Sequence, residues 1–233
     1  MKAYVGTSGF SYPGWKGIFY PPRLKNADML GYYASRLASV ELNNSFYRLP
    51  TEAAFAGWAA QVPAGFRFAV KAPQRITHHK RFVEVTEPMV EFHSRAAHLG
   101  DALGPLLFQL PPNFRADWAR LDHFLESTHQ LPGARCAVEF RHASWFVEDT
   151  YARLREHGVA LVGGDLDEAD RDPPLVRTAD FAYLRLRRPA YEDADLVAWA
   201  RKMSDLGVAE LHVYFKHEDQ GPSYSEKLLA QLG

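Results

Sequence analysis

The sequence predicts an α/β fold, a single (β/α)8 barrel of the TIM type, and three observations carry that prediction. Eight short apolar segments with period-two alternation run through the 233 residues, and stretches with helical spacing separate nearly all of them. Eight such units in this length is the count of a closed parallel barrel near the short end of that fold's range. The competing architecture, an open doubly wound sheet, would carry Gly-x-Gly-x-x-Gly after its first strand, where this chain has only Gly6-Thr7-Ser8-Gly9. No internal repeat, low-complexity tract or Gly/Ser-rich linker divides residues 1–233, so one domain is expected to cover them.

Taken in order, residues 3–8 read as the first strand. A long aromatic loop over 9–24 follows, with Phe10, Tyr12, Trp15, Phe19 and Tyr20 among Gly and Pro punctuation. Asn26 or Asp28 opens a helix in which Met29, Leu30, Tyr33 and Leu37 recur at spacings of three and four. Residues 39–43 form the second strand, and Thr51, just after Pro50, caps a helix over 51–61. Strand three (66–71) precedes a helix over 88–99, and strand four (105–110) is stopped by Pro111-Pro112 before a helix over 117–130. Strand five (135–141), its helix (146–157), and strand six (159–165) come next. The acidic, proline-bearing link over 167–177 shows no helical pattern, so the barrel is expected to be irregular around its sixth helix. Strand seven (181–187), a helix over 193–206, strand eight (210–216) and a helix over 223–232 close the chain.

Composition narrows the function classes. Twenty-seven Lys and Arg nearly cancel 28 Asp and Glu, so a net charge of -1 gives no bulk attraction to nucleic acid or membrane, and any electrostatic preference must be local. Cys136 is the single cysteine, which excludes an internal disulfide framework and suits a reducing compartment; beside a core strand it reads as a small buried hydrophobe. The first nine residues lack the basic-then-apolar run of a signal peptide, and no apolar run approaches the roughly 20 residues that span a bilayer. A cytoplasmic protein without membrane contact is the expectation; the oligomeric state stays open.

The fifth strand shows where a site would lie. In Ala137-Val138-Glu139-Phe140-Arg141, Val138 and Phe140 point one way, Glu139 and Arg141 the other, and a polar and aromatic turn, His142-Ala143-Ser144-Trp145, follows. Turning the apolar phase of each strand toward the helices leaves these residues inside: Glu41 and Asn43 on strand two, Lys71 on three, Gln109 on four, Tyr183, Arg185 and Arg187 on seven, and His212, Tyr214 and Lys216 on eight. Ser8 ends strand one and Asp165 closes strand six. Barrel interiors are normally filled by aliphatics, and charges resist burial unless paired, so convergent ionisable groups at strand ends argue for a ligand cavity at the C-terminal mouth. Lys71, Arg141, Arg185 and Lys216 against Glu41, Glu139 and Asp165 give a local balance of about +1, favouring a phosphate, phosphodiester or carboxylate ligand that Arg grips with paired hydrogen bonds. Trp15 offers a flat wall for a base or sugar, or a hydrophobic lid packing its loop onto the barrel.

Several blocks also resemble the YecE-like family, domain of unknown function 72. They are 6–12 (GTSGFSY) with Trp15, 40–50 (VELNNSFYRLP), 68–71 (FAVK), 76–78 (ITH), 107–112 (LFQLPP) and 139–142 (EFRH) with Trp145. The resemblance spans almost the whole chain; it implies a TIM-type barrel and brings no established activity, and His78 and His142 fall in matched blocks. Two stretches depart from the family pattern: Arg185-Leu186-Arg187-Arg188 where relatives tend toward Arg-x-His-Gly, and Lys216-His217 where they show two asparagines. If those positions touch the ligand, this member prefers a more anionic one or has changed substrate.

Three chemistries compete at such a mouth. A divalent-metal phosphodiesterase resembling endonuclease IV would draw on Glu41, Glu139 and Asp165 with His78, His142 or His217, but Lys71, Arg141 and Arg185 crowd the same place and no compact metal motif exists. A hydrolase would use Glu41, Glu139 and Asp165 for acid-base work, provided their environments separate their pKa values. A non-catalytic site would hold a phosphorylated metabolite or single-stranded nucleic acid by Arg and Lys with aromatic stacking. The reading that combines these residues is an anionic, phosphate-bearing ligand, with hydrolysis or another acid-base reaction as the role. Ser8, Trp15, Asn43, Lys71, His78, Gln109, Arg141, His142, Arg185, Tyr214 and Lys216 are the binding set.

Overall fold

The computed structural model describes residues 1–166, 172–216 and 219–233. Eight parallel strands close into a barrel in sequence order: β1 (Lys2–Ser8), β2 (Ser39–Leu42), β3 (Arg67–Lys71), β4 (Leu103–Gln109), β5 (Cys136–Glu139), β6 (Ala160–Gly164), β7 (Phe181–Leu186) and β8 (Glu210–Phe215), with β8 paired back to β1. Around it, among the described residues, lie α1 (Met29–Arg36), α2 (Glu52–Ala59), α3 (Thr86–Ala96), α4 (Trp118–Thr128), α5 (Glu148–Glu156), α6 (Asp193–Asp205) and α7 (Gly221–Leu232). No helix stands in 172–180, between β6 and β7; the first part of the irregular link expected there, 167–171, lies outside the described residues, as do His217 and Glu218. None of the helices is long and apolar enough to cross a membrane.

The alternation read from sequence sets the layers. Val40, Leu42, Phe68, Val70, Phe108 and Val138 face outward into the main core with Tyr33, Phe55, Phe92 and Phe124. Val5, Leu184, Leu186, Val213 and Phe215 do the same against α6 and α7. Inside the barrel, Ala69, Ala137 and Ala160 meet Leu107, Val162, Phe181, Tyr183 and Tyr214. Alanines on three strands make room for two tyrosines, and the Tyr214 hydroxyl meets the buried side chains of Ser39 and His212. Cys136 is buried, and burial pushes its thiol up to about 12, so it packs as the inert hydrophobe its position suggested.

Helix ends follow local chemistry. Thr51 Oγ1 accepts from Ala54 N at 3.2 Å to cap α2, Asp117 caps α4 through Arg120 N, and Glu192 with Asp195 forms a reciprocal capping box on α6. One close approach demands glycine: a Cβ on Gly6 would stand 1.8 Å from the carbonyl oxygen of Ser39, its partner across β1 and β2. Tyr33 of α1 closes the same seam, its hydroxyl accepting from Thr7 N and donating to Ser39 O, both at 2.9 Å. Gly6→Ala must therefore push β1 and β2 apart and is expected to lose roughly 2–4 kcal/mol of stability, read as a lower urea midpoint at unchanged slope.

Candidate functional site

The C-terminal mouth is built on three buried charges. Glu41, at the end of β2, and Arg185, on β7, are almost fully buried, as is Glu139 at the end of β5. Arg185 reaches both carboxylates: Nη2 donates to Glu41 Oε1 at 2.8 Å and Nη1 to Glu139 Oε2 at 2.7 Å. Glu41 also accepts from Ser8 Oγ at 2.7 Å, Asn43 Nδ2 at 2.9 Å and the Tyr183 hydroxyl at 2.7 Å. Arg141, just past β5, brings Nε to 2.5 Å from Glu139 Oε1, an ion pair in contact whose angles do not form a hydrogen bond, and its Nη2 is buried without a hydrogen-bond partner among the described residues.

These contacts decide the protonation states. Burial pushes the Glu41 carboxyl up, but Arg185 and the donors Ser8, Tyr183 and Asn43 outweigh it and leave it below the usual carboxylate range. Burial acts on Glu139 in the same sense, and Arg185, Arg141, Arg187 and Lys71 together bring it down to about 2. Both are ionised acceptors with their lone pairs engaged, which suits anchoring rather than proton donation.

Above this floor opens a cavity of about 350 Å³ lined by Ser8, Asn43, Lys71, Gln109, Arg185, Tyr214 and Lys216, all expected from sequence, and by Tyr12, Tyr47 and Arg187. The Lys71 ammonium has no hydrogen bond or ion pair among the described residues; its Nζ lies 4.2 Å from the centroid of the Phe46 ring. Burial, then Arg185, lowers its pKa to about 8, with Glu139 and Glu41 acting in the opposite sense. The Arg187 guanidinium likewise has no hydrogen bond or ion pair among the described residues, and burial and Arg185 lower its pKa. Among the described residues Lys71, Arg141, Arg185, Arg187 and Lys216 against Glu41 and Glu139 make five cations to two carboxylates, a surplus of three positive charges when Lys71 is protonated.

Four expected residues stand elsewhere. Trp15 is buried in its loop against Tyr12, Phe19 and Tyr20, so it is the hydrophobic lid and not a wall of the cavity. Asp165 follows the outward phase of β6, since Ala160 and Val162 face the axis and Leu161 the helices. Its carboxylate accepts from Arg187 N at 2.5 Å, Arg188 N at 3.3 Å and the Tyr191 hydroxyl at 2.8 Å, clasping the turn after β7. His142 Nδ1 accepts from Ser144 N to cap the turn after β5, and His78 packs edge-on against Phe46 behind Lys71. Of the three residues that sequence reasoning did not place in the binding set, Arg187 shares the inward phase of Tyr183 and Arg185. Tyr12 and Tyr47 lie on loops, where alternation gives no direction. Among the described residues no group of three His, Cys, Asp or Glu side chains is arranged to hold a metal ion, and the His217 alternative lies outside them.

Because Glu139 titrates lower folded than unfolded, its contribution is complete above the ordinary carboxylate range and is lost as pH falls toward 2. Glu139→Gln is expected to be less stable than the parent by about 3 kcal/mol at pH 7, with the gap closing near pH 2–3. Urea unfolding of both proteins across that range checks it, and a gap that does not depend on pH contradicts the anchoring role.

Comparison with known proteins agrees with the geometry of the fold. A DUF72 family protein from Thermotoga maritima MSB8 superposes with a TM-score of 0.81 at 31% identity, covering 98% of this chain and 97% of that one. Another, from Enterococcus faecalis V583, gives 0.77 at 20% identity over 99% and 96%, a likeness of fold. The UPF0759 protein YunF of Bacillus subtilis strain 168 is 32% identical over 154 residues, 64% of this chain and 54% of YunF, so the match spans about half of that relative's length. The sequence profile of the family described as protein of unknown function DUF72 matches residues 4–233, and the chain belongs to that family.

Proposed function

We propose that the mouth of the barrel binds a small anionic ligand, with a phosphate or phosphodiester group as the anchored part, and that an acid-base reaction takes place on it. The observation that carries this reading is Arg187, a largely buried guanidinium with no carboxylate partner among the described residues, beside Arg185 and Arg141. Like charges brought together out of water raise the free energy of the empty site, and an anion relieves it. Arg185, held by Glu41 and Glu139, would form a fixed floor; Arg187, Lys71 and Lys216 would close on the ligand, and Asn43, Gln109 and Tyr214 would orient it. In this reading the two glutamates are positioning groups. Lys71, close to neutrality in pKa, is the better candidate to carry a proton.

A cavity of about 350 Å³ lies at the small end of the range for ligand sites and favours a metabolite over a nucleic-acid strand, whose backbone needs an extended basic groove. A screen of phosphorylated metabolites, oligonucleotides and divalent ions by thermal shift tests the reading, since ligands of the native state alone raise apparent stability. Phosphorylated small molecules are expected to stabilise the protein; stabilisation by oligonucleotides alone, or by no anion, rejects the reading.

Arg187→Ala separates binding from structure. It is expected to weaken the anion found in that screen by about 10- to 100-fold while leaving the melting temperature of the free protein unchanged or raised, because it removes an uncompensated charge. Calorimetric titration and a melting curve measure the two effects.

A further inference from the structure

We propose that Lys71 is a reactive amine that forms an imine with a carbonyl compound carrying an anionic group. The inference rests on the anion-binding reading above and names the class of ligand that reading leaves open.

The placement of Lys71 is unusual for a barrel lysine. It ends β3 on the axial face and lines the cavity, yet both buried carboxylates within electrostatic reach are committed to Arg185. In the direction of the strand-two turn it meets the Phe46 ring instead of a carboxylate. An amine that is desolvated, flanked by guanidinium groups and without an acidic partner among the described residues is arranged as nucleophilic lysines are, with the ammonium form disfavoured. The direction of its titration, toward about 8, agrees.

The charge count selects the ligand. With Lys71 neutral, Arg141, Arg185, Arg187 and Lys216 exceed Glu41 and Glu139 by two among the described residues, so an anionic group on the carbonyl compound is drawn to the site while the amine stays unprotonated. A 2-oxo carboxylate or a phosphorylated carbonyl compound therefore fits. The step is self-contained. The Nζ lone pair adds to the carbonyl carbon and the C=O π pair moves to oxygen, which takes a proton. The carbinolamine hydroxyl then takes a second proton, from solvent, and leaves as water as the nitrogen pair forms C=N, giving the protonated imine, with no change of oxidation state. Gln109, which lines the cavity and whose side chain makes no hydrogen bond among the described residues, can donate to the carbonyl oxygen during attack.

Borohydride trapping tests this on the full chain. Pyruvate and sodium borohydride at pH 8, followed by peptide mass spectrometry, are expected to give a reduced adduct on Lys71 at least ten times faster than on the exposed Lys25 and Lys227. Acetone, an uncharged carbonyl, should label Lys71 at least tenfold more slowly than pyruvate, and excess inorganic phosphate should suppress the pyruvate adduct. Lys71→Arg should retain the melting temperature and lose the adduct. Labelling of Lys71 no faster than of surface lysines, in a protein that phosphate still stabilises, overturns the imine and leaves the anion site standing. Labelling of Lys71 no faster than of surface lysines, in a protein that no anion stabilises, overturns both.

Discussion

The contact on which the mouth of this barrel depends is the bridge that Arg185 makes between Glu41 and Glu139. Removing three charged groups from water costs several kcal/mol for each, and only tight, multiple hydrogen bonding offsets that cost. Glu41 receives four such bonds, from Ser8, Asn43, Tyr183 and Arg185. The bridge ties β2, β5 and β7 across the barrel axis, which side-by-side ladder hydrogen bonds cannot do. It also consumes both carboxylates, and every other cation at the mouth is positioned against that already neutralised base.

Packing below makes the bridge possible. Ala69, Ala137 and Ala160 leave the width that Tyr183 and Tyr214 need, and each tyrosine turns its hydroxyl to a polar partner, Glu41 for the first and Ser39 for the second at 2.7 Å. The aromatic layer thus seals the lower barrel while supplying hydrogen bonds to the charged layer above it, a division of labour that an aliphatic filling would not provide.

Much of this was legible in the chain. Period-two alternation correctly turned Glu41, Lys71, Gln109, Glu139, Arg185 and Tyr214 inward, because a parallel strand pressed between helices and an axis has only two directions for its side chains. Where strand gave way to loop, that argument lost its force: Trp15 and His142 serve the packing and capping of their own turns. Asp165 misled for a subtler reason. It ends a strand, but on the helix-facing phase, and Gly164 before it has a φ of +131°, bending the chain toward the turn it clasps. Pairing was the other hidden quantity. Sequence places acids and bases at one rim without saying that a single arginine takes both acids, which is why Glu41 and Glu139 first read as an acid-base couple.

The clasp at Asp165 changes how Arg187 can act. A guanidinium on an ordinary loop must give up backbone freedom each time it closes on a guest, and that entropy discounts its grip. Here three hydrogen bonds from 187, 188 and 191 to one carboxylate fix the backbone of the turn when the chain folds. The guanidinium therefore waits in a rigid frame, and discrimination among guests falls to their dimensions and shape rather than to how well each can order a wandering segment.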